Sequence, residues 1–164
     1  MDDVRRGSVV ALAGYSQSTN DMPSCIFCEI VAGRAPVSIV YRDDHCVAFM
    51  DINPVTPGHL LVIPLSHADY LADLDSVVGA HLFRIAQRLA AAIRRSGLKA
   101  DGINFFLADG EAAGQEVSHV HLHVFPRFEG DGFGLRFAPE YGQPVARERL
   151  DHEAAAISRA ATTT

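Results

Sequence analysis

The sequence predicts an α+β fold: a five-stranded antiparallel sheet with helices packed on one side. Three observations carry this. The strand-like runs are short, and the first two are joined by a tight turn, Arg42-Asp43-Asp44, which suits an antiparallel pair. One long segment places Val78, Leu82, Ile85, Leu89 and Ile93 at three- and four-residue steps, the signature of an amphipathic helix. The run His119-Val120-His121-Leu122-His123-Val124-Phe125 alternates histidine with aliphatic residues, a period-two pattern that puts the histidines on one strand face and the aliphatics in a core.

The elements follow in order. Residues 1–22 are small, polar and aperiodic, and read as a disordered extension. Their short apolar run at 8–13 is followed by polar residues and is not expected to act as a signal peptide. Ser24 is placed to cap a short helix carrying Ile26, Phe27, Ile30 and Val31 that ends at Gly33. Val37–Tyr41 and Cys46–Asp51 read as a hairpin. The stretch Asn53-Pro54-Val55-Thr56-Pro57-Gly58 is a rigid loop, and His59–Pro64 is a third strand with an almost wholly apolar run. Asp75 or Ser76 caps the long helix, which ends near Gly97 with Arg94 and Arg95 in its last turn, favourable for the dipole. His81 on that helix reads as a surface residue and Cys46 as a buried thiol. Gly102–Ala108 is a fourth strand, residues 109–116 a loop, and the histidine run the fifth strand, ending at Pro126-Arg127. A glycine-rich stretch and a helix at 147–160 complete the chain. The main domain is therefore expected over 23–128, with a loop and helix over 129–164.

Composition narrows the function classes. In a chain of 164 residues, a 48% hydrophobic share supports the core of one domain. The formal net charge of −6 argues against a nucleic-acid polymer or a membrane surface as partner. It leaves an anionic small molecule open, because backbone amides and helix termini bind phosphate in acidic proteins too. Three cysteines do not make a secreted disulfide framework, and no apolar run approaches a membrane span. Reduced-thiol usage points to the cytoplasm.

The histidine run has two chemical readings. A neutral imidazole is a competent nucleophile for phosphorus and leaves readily once protonated. Its other ring nitrogen needs an acceptor to fix the tautomer. Gly110 and Gly114 leave backbone amides open for phosphate in the preceding loop. The rival reading makes all three histidines metal ligands. Separately, Cys25-x-x-Cys28 suggests a metal or redox site, and no thioredoxin-like βαβ pattern surrounds it.

The residues around these motifs resemble the histidine triad (HIT) superfamily. His119–Phe125 preceded by Ala113-Gly114-Gln115-Glu116-Val117 is similar to its signature. Cys25-Ile26-Phe27-Cys28-Glu29-Ile30, the stretch from Asp43 to Pro54, and Pro57-Gly58-His59 through His67 resemble further blocks of bacterial members, in the right order. The resemblance implies the HIT fold, with two sheets paired edge to edge in a homodimer. It implies a nucleotide hydrolase or transferase acting on a purine nucleotide conjugate, a dinucleoside polyphosphate or a nucleoside phosphoramidate. His121 would attack the α-phosphorus, His123 would orient it, and His59 would join the same network. Asp51 would hold the ribose hydroxyls, and Phe27, Ile30, Phe49 and Ile52 would wall the base. Gly114, Gln115, Glu116 and Val117 would form the loop facing the phosphates. Relatives with this Cys-x-x-Cys complete a structural Cys₂His₂ zinc site with the equivalents of His67 and His119. The chain departs from the pattern at Ala108, where many relatives have Asn or Gln, and at Glu116, where eukaryotic Hint-type proteins have serine. Two other function classes are a nucleotide-binding regulatory protein with little or no turnover and a metal-binding module without catalysis.

Overall fold

The structure, a computed structural model, describes residues 25–162. The extension over 1–22 and the expected Ser24 cap lie outside these residues. The elements run α1 (Ile26–Val31), β1 (Ile39–Arg42), β2 (Cys46–Met50), β3 (Leu60–Pro64), α2 (Ser76–Arg95), β4 (Gly102–Phe106), β5 (Leu122–Arg127) and α3 (Arg147–Ala161). The five strands form one sheet in the order β1-β2-β3-β5-β4, every pair antiparallel. After α2 the chain thus lays β4 at the edge and returns with β5 between β4 and β3. One compact unit ends at Asp131, and a second, holding α3, begins at Gly132.

Helices cover both faces of the sheet, not one. Alternate residues of β2 and β3 enter two separate cores. Cys46, Ala48, Leu60 and Val62 pack with Leu82, Ile85, Leu89 and Ile93 of α2. Val47, Phe49, Leu61 and Ile63 pack with Phe27 and Ile30 of α1. This is why Leu60-Leu61-Val62-Ile63 is apolar without alternation: a strand buried on both sides needs no polar face. Each large aliphatic buried this way contributes about 2 kcal/mol.

α2 is started by Asp75, whose carboxylate accepts from the amides of Val77 (2.8 Å) and Val78 (3.2 Å). Cys25 occupies the N-cap position of α1 and makes no side-chain capping bond. The loop before β3 is pinned from the far end of β5, because the buried Thr56 hydroxyl donates to the Pro126 carbonyl at 2.6 Å. Gly58 in that loop has φ +95°, and a Cβ there would meet Leu98 at 2.9 Å, so a side chain fails on both counts.

β5 differs from the expected strand. Its ladder with β3 begins only at Leu122, paired with Val62. Before that, the Val120 amide donates to the Ala68 carbonyl (2.8 Å), and His119–His121 approach as an irregular extended segment. The alternation survives, since Val120, Leu122 and Val124 all enter the α2 core. His81 is not a free surface residue. Arg84 donates to its Nδ1 (3.1 Å), so its Nε2–H donates to Asp43 at 2.7 Å. Cys46 is fully buried, and burial pushes its thiol up to about 12.

In the second unit, α3 has no buried residue and carries an Arg149–Glu153 ion pair of 2.8 Å along its surface. Phe137 stacks on Tyr141 at 3.9 Å in the loop before it.

Candidate functional site

α1, the end of β3 and the segment entering β5 bring four donors together. The Sγ of Cys25 lies 3.5 Å from Nδ1 of His119, and the Sγ of Cys28 lies 3.3 Å from Nδ1 of His67 and 3.7 Å from that of His119. The two Nδ1 atoms are 3.3 Å apart. A tetrahedral zinc ion with ordinary Zn–S and Zn–N lengths requires about 3.3 Å between nitrogens and about 3.6 Å between sulfur and nitrogen. The donor set fits zinc in type, number and spacing. The outer ring nitrogens fit as well: Nε2 of His67 faces Asp69 Oδ1 at 2.9 Å, and Nε2 of His119 faces the Pro64 carbonyl at 3.1 Å. Those acceptors place the proton on Nε2 and leave each Nδ1 lone pair directed into the cage. Ser118 also donates to Asp69, at 2.9 Å.

The remaining histidines form a second network in which backbone groups dictate the tautomers. Nδ1 of His121 lies 2.7 Å from the His119 carbonyl. A carbonyl only accepts, so Nδ1 carries the proton and Nε2 keeps its lone pair. The Val55 amide donates to Nδ1 of His59 at 3.1 Å, so the proton of His59 sits on Nε2. That Nε2–H donates to Nδ1 of His123 at 2.9 Å, which leaves Nε2–H of His123 as a free donor. Burial lowers the pKa of His59 against the opposing pull of the Asp51 carboxylate. Burial, then the neighbouring His121 and His59, pushes His123 down to about 4, again against Asp51. Asp51 is itself anchored, its Oδ1 accepting from the Asn53 amide at 2.8 Å and its Oδ2 lying 3.5 Å from Nδ1 of His59.

His121 and His123 line a cleft of about 900 Å³ together with Phe27, Ile30, Phe49, Asp51, Ile52, Glu116 and Val117. The walls are mostly apolar. Phe27 presents its ring edge-on to His121, centroids 5.3 Å apart, and to Phe49 at 5.6 Å. Ile52 stands 91% exposed at the rim. His59 is buried behind His123 and does not reach the cleft. Gly114 and Gln115 do not line it either. The Gln115 amide is engaged within the loop, accepting from Gly110 N (2.6 Å) and donating to the carbonyls of Asp69 (2.8 Å) and Val117 (3.1 Å). Ala108 is buried and makes no polar contact with its side chain.

Sequence reasoning did not place Ile26, Met50, Asn53 or Leu61 in the cleft, and it missed two further parts of the site. Ala35, Pro36, Val37 and Ser38, in the link from α1 to β1, also line the cleft. They carry no reactive group and no period, so nothing marked them. Asp69, two residues beyond His67, offers the type of group, a carboxylate, that commonly backs a metal-ligating imidazole, and that residue type is the one signal the sequence held for it.

A family model for the HIT domain matches residues 32–130, more than half the chain. The chain belongs to the HIT family. An uncharacterized HIT-like protein of Borreliella burgdorferi is 43% identical over 116 residues, covering 70% of this chain and 84% of the relative. A relative from Arabidopsis thaliana named adenylylsulfatase HINT3 is 35% identical over 119 residues, covering 72% of this chain and 59% of its own length. Among solved structures, a zinc-bound histidine triad family protein from Mycobacterium smegmatis is 43% identical with TM-score 0.66, covering 84% of this chain and 97% of that one. The five-stranded antiparallel sheet of this HIT protein with its helices is therefore the family fold. No helix among the described residues is long and apolar enough to cross a membrane.

Proposed function

We propose that this protein is a nucleotide hydrolase or transferase that cleaves purine nucleotide conjugates at the α-phosphorus through a nucleotidyl-histidine intermediate. One observation carries the reading: the His119 carbonyl holds the proton of His121 on Nδ1, so the Nε2 lone pair belongs to a residue lining a mostly apolar cleft of about 900 Å³, large enough for a nucleotide. Membership of the HIT family and a relative named for an adenylyl substrate support the same class.

In the first step Nε2 of His121 bonds to the α-phosphorus, and the bond to the leaving group breaks with its electron pair on that group, which takes up a proton from solvent water. The imidazole becomes cationic, and its Nδ1–H stays hydrogen-bonded to the His119 carbonyl. In the second step a water oxygen bonds to phosphorus, the N–P bond breaks, its pair returns to Nε2, and the water proton passes to solvent. His123, its Nδ1 occupied by His59, directs Nε2–H as a donor to a phosphoryl oxygen. Phe27, Ile30, Phe49 and Ile52 hold the base, and Asp51 accepts from the ribose hydroxyls. Val117 and Glu116 border the phosphates. Gly114 and Gln115 act by shaping that loop.

Cys25, Cys28, His67 and His119 hold a structural zinc ion, a closed site with no open position for chemistry. A second copy of the chain pairs along the sheet edge at β4, where the exposed Phe105 meets the exposed Phe83 of α2 with ring centroids 5.6 Å apart. The catalytic domain spans residues 23–128, and the reduced thiols suit the cytoplasm.

The test is hydrolysis of a panel of adenosine 5′-phosphate conjugates. His121→Ala is expected to lose roughly 10³–10⁶-fold in kcat while still binding nucleotide. Turnover that persists in the variant contradicts the assignment. Tight binding with no turnover by the unaltered protein favours a regulatory nucleotide-binding role.

A further inference from the structure

The cleft has an unusual charge balance for a site that receives phosphate. Among the described residues that line it there is no lysine or arginine, and two are acidic, Asp51 and Glu116. The two carboxylates differ. Asp51 is fixed by the Asn53 amide and faces the His59 ring. Glu116 is exposed and makes no hydrogen bond or ion pair among the described residues, although it sits five residues before His121 on the loop that delivers it. A free carboxylate lining the same cleft as His121, with no cationic side chain among the lining residues to offset it, repels an anionic leaving group and attracts a cationic one.

We infer that Glu116 sets leaving-group choice, favouring a nucleoside 5′-monophosphate joined to an amine that carries a second, positively charged nitrogen over a dinucleoside polyphosphate. This rests on the hydrolase reading above and names its substrate class. In the reaction, Nε2 of His121 bonds to phosphorus and the P–N bond breaks. The electron pair goes to the departing nitrogen, which takes a proton from water. The distal ammonium stays protonated throughout and pairs with the Glu116 carboxylate. A polyphosphate leaving group would bring several negative charges to the same place, where only an added divalent cation could neutralise them.

The test compares three substrates: the adenosine 5′-phosphoramidate of a diaminoalkane, that of a monoaminoalkane of equal length, and diadenosine tetraphosphate. For the unaltered protein at low salt, kcat/KM is expected to be about 1.5- to five-fold higher for the diamine than for the monoamine conjugate, the range of one partly exposed ion pair. Added salt narrows the ratio. Glu116→Gln brings it to about one, and Glu116→Lys reverses it while improving the tetraphosphate relative to both amides. Far-ultraviolet circular dichroism and zinc content establish that each variant is folded. A diamine-to-monoamine ratio that Glu116→Gln and Glu116→Lys leave unchanged overturns this inference while the hydrolase reading stands. Failure of the unaltered protein to turn over any of the three overturns both.

Discussion

The main-chain carbonyl of His119 accepts from Nδ1 of His121 at 2.7 Å, while the His119 imidazole turns the other way, its Nδ1 3.5 Å from the sulfur of Cys25. One residue thus belongs to the Cys/His cage through its ring and to the proposed nucleophile, His121, through its backbone. Phe27 reinforces the link. It follows Cys25 by two positions on α1 and meets the rings of both His119 (5.8 Å) and His121 (5.3 Å).

This link predicts that loss of the cage is felt at His121. Purified protein is expected to hold about one zinc per chain by elemental analysis. Cys28→Ser is expected to lose that zinc and roughly 10- to 100-fold of its hydrolytic rate, although Cys28 does not line the cleft. With zinc at about a thousand times its Kd, stripping it removes roughly 4 kcal/mol and lowers Tm by about 8–16 °C. Metal-free protein with unchanged Tm and rate contradicts the coupling.

The tautomer chain from Val55 through His59 to His123 predicts a difference between two substitutions. Glutamine can place an amide N–H where Nε2 of His59 donates to His123, and alanine cannot. His59→Ala is expected to lose about 10- to 100-fold in kcat, and His59→Gln to recover most of it. The measurement is steady-state kinetics on one adenosine 5′-phosphoramidate. Equal losses in the two variants mean that the donor itself is not what matters.

The α2 face and its Asp75 cap were legible because an amphipathic helix writes its burial as a period and its start as a side-chain type. β2 and β3 were legible as strands, but their burial on both faces was not inferred, because a continuous apolar run does not say what covers each side. The alternation in the row of three histidines predicts one regular strand. In the structure only its last member is in the ladder, because the Ala68 carbonyl takes the Val120 amide and bends the approach. His121 and His123 were named from the motif, but the tautomers depend on Val55 and the His119 carbonyl, groups that a sequence does not display. The Ala35–Ser38 wall was illegible, because it contributes shape and no chemistry.

A pH prediction follows from His123, whose pKa of about 4 in the folded protein lies below the ordinary 6.5. Above pH 6.5 the residue is neutral in both states and the fold keeps its full stability. As pH falls below 6.5, the unfolded chain takes the proton first, and stability drops until folded His123 is protonated near pH 4. The total is about 3 kcal/mol, at about 1.4 kcal/mol per pH unit. His123→Asn keeps an acceptor for His59 and removes this titration. Urea unfolding from pH 7 to 4 is expected to show the unaltered protein losing stability more steeply than the variant. Parallel curves contradict it.

The central claim is that a nucleotide becomes bonded to His121. Rapid acid-free quenching during turnover of an adenosine 5′-phosphoramidate, followed by peptide mass spectrometry, tests it directly. The expected result is an adenylyl adduct on His121, absent from His121→Ala. An adduct on His119, His123 or another residue, or full turnover with no adduct at any time point, contradicts it.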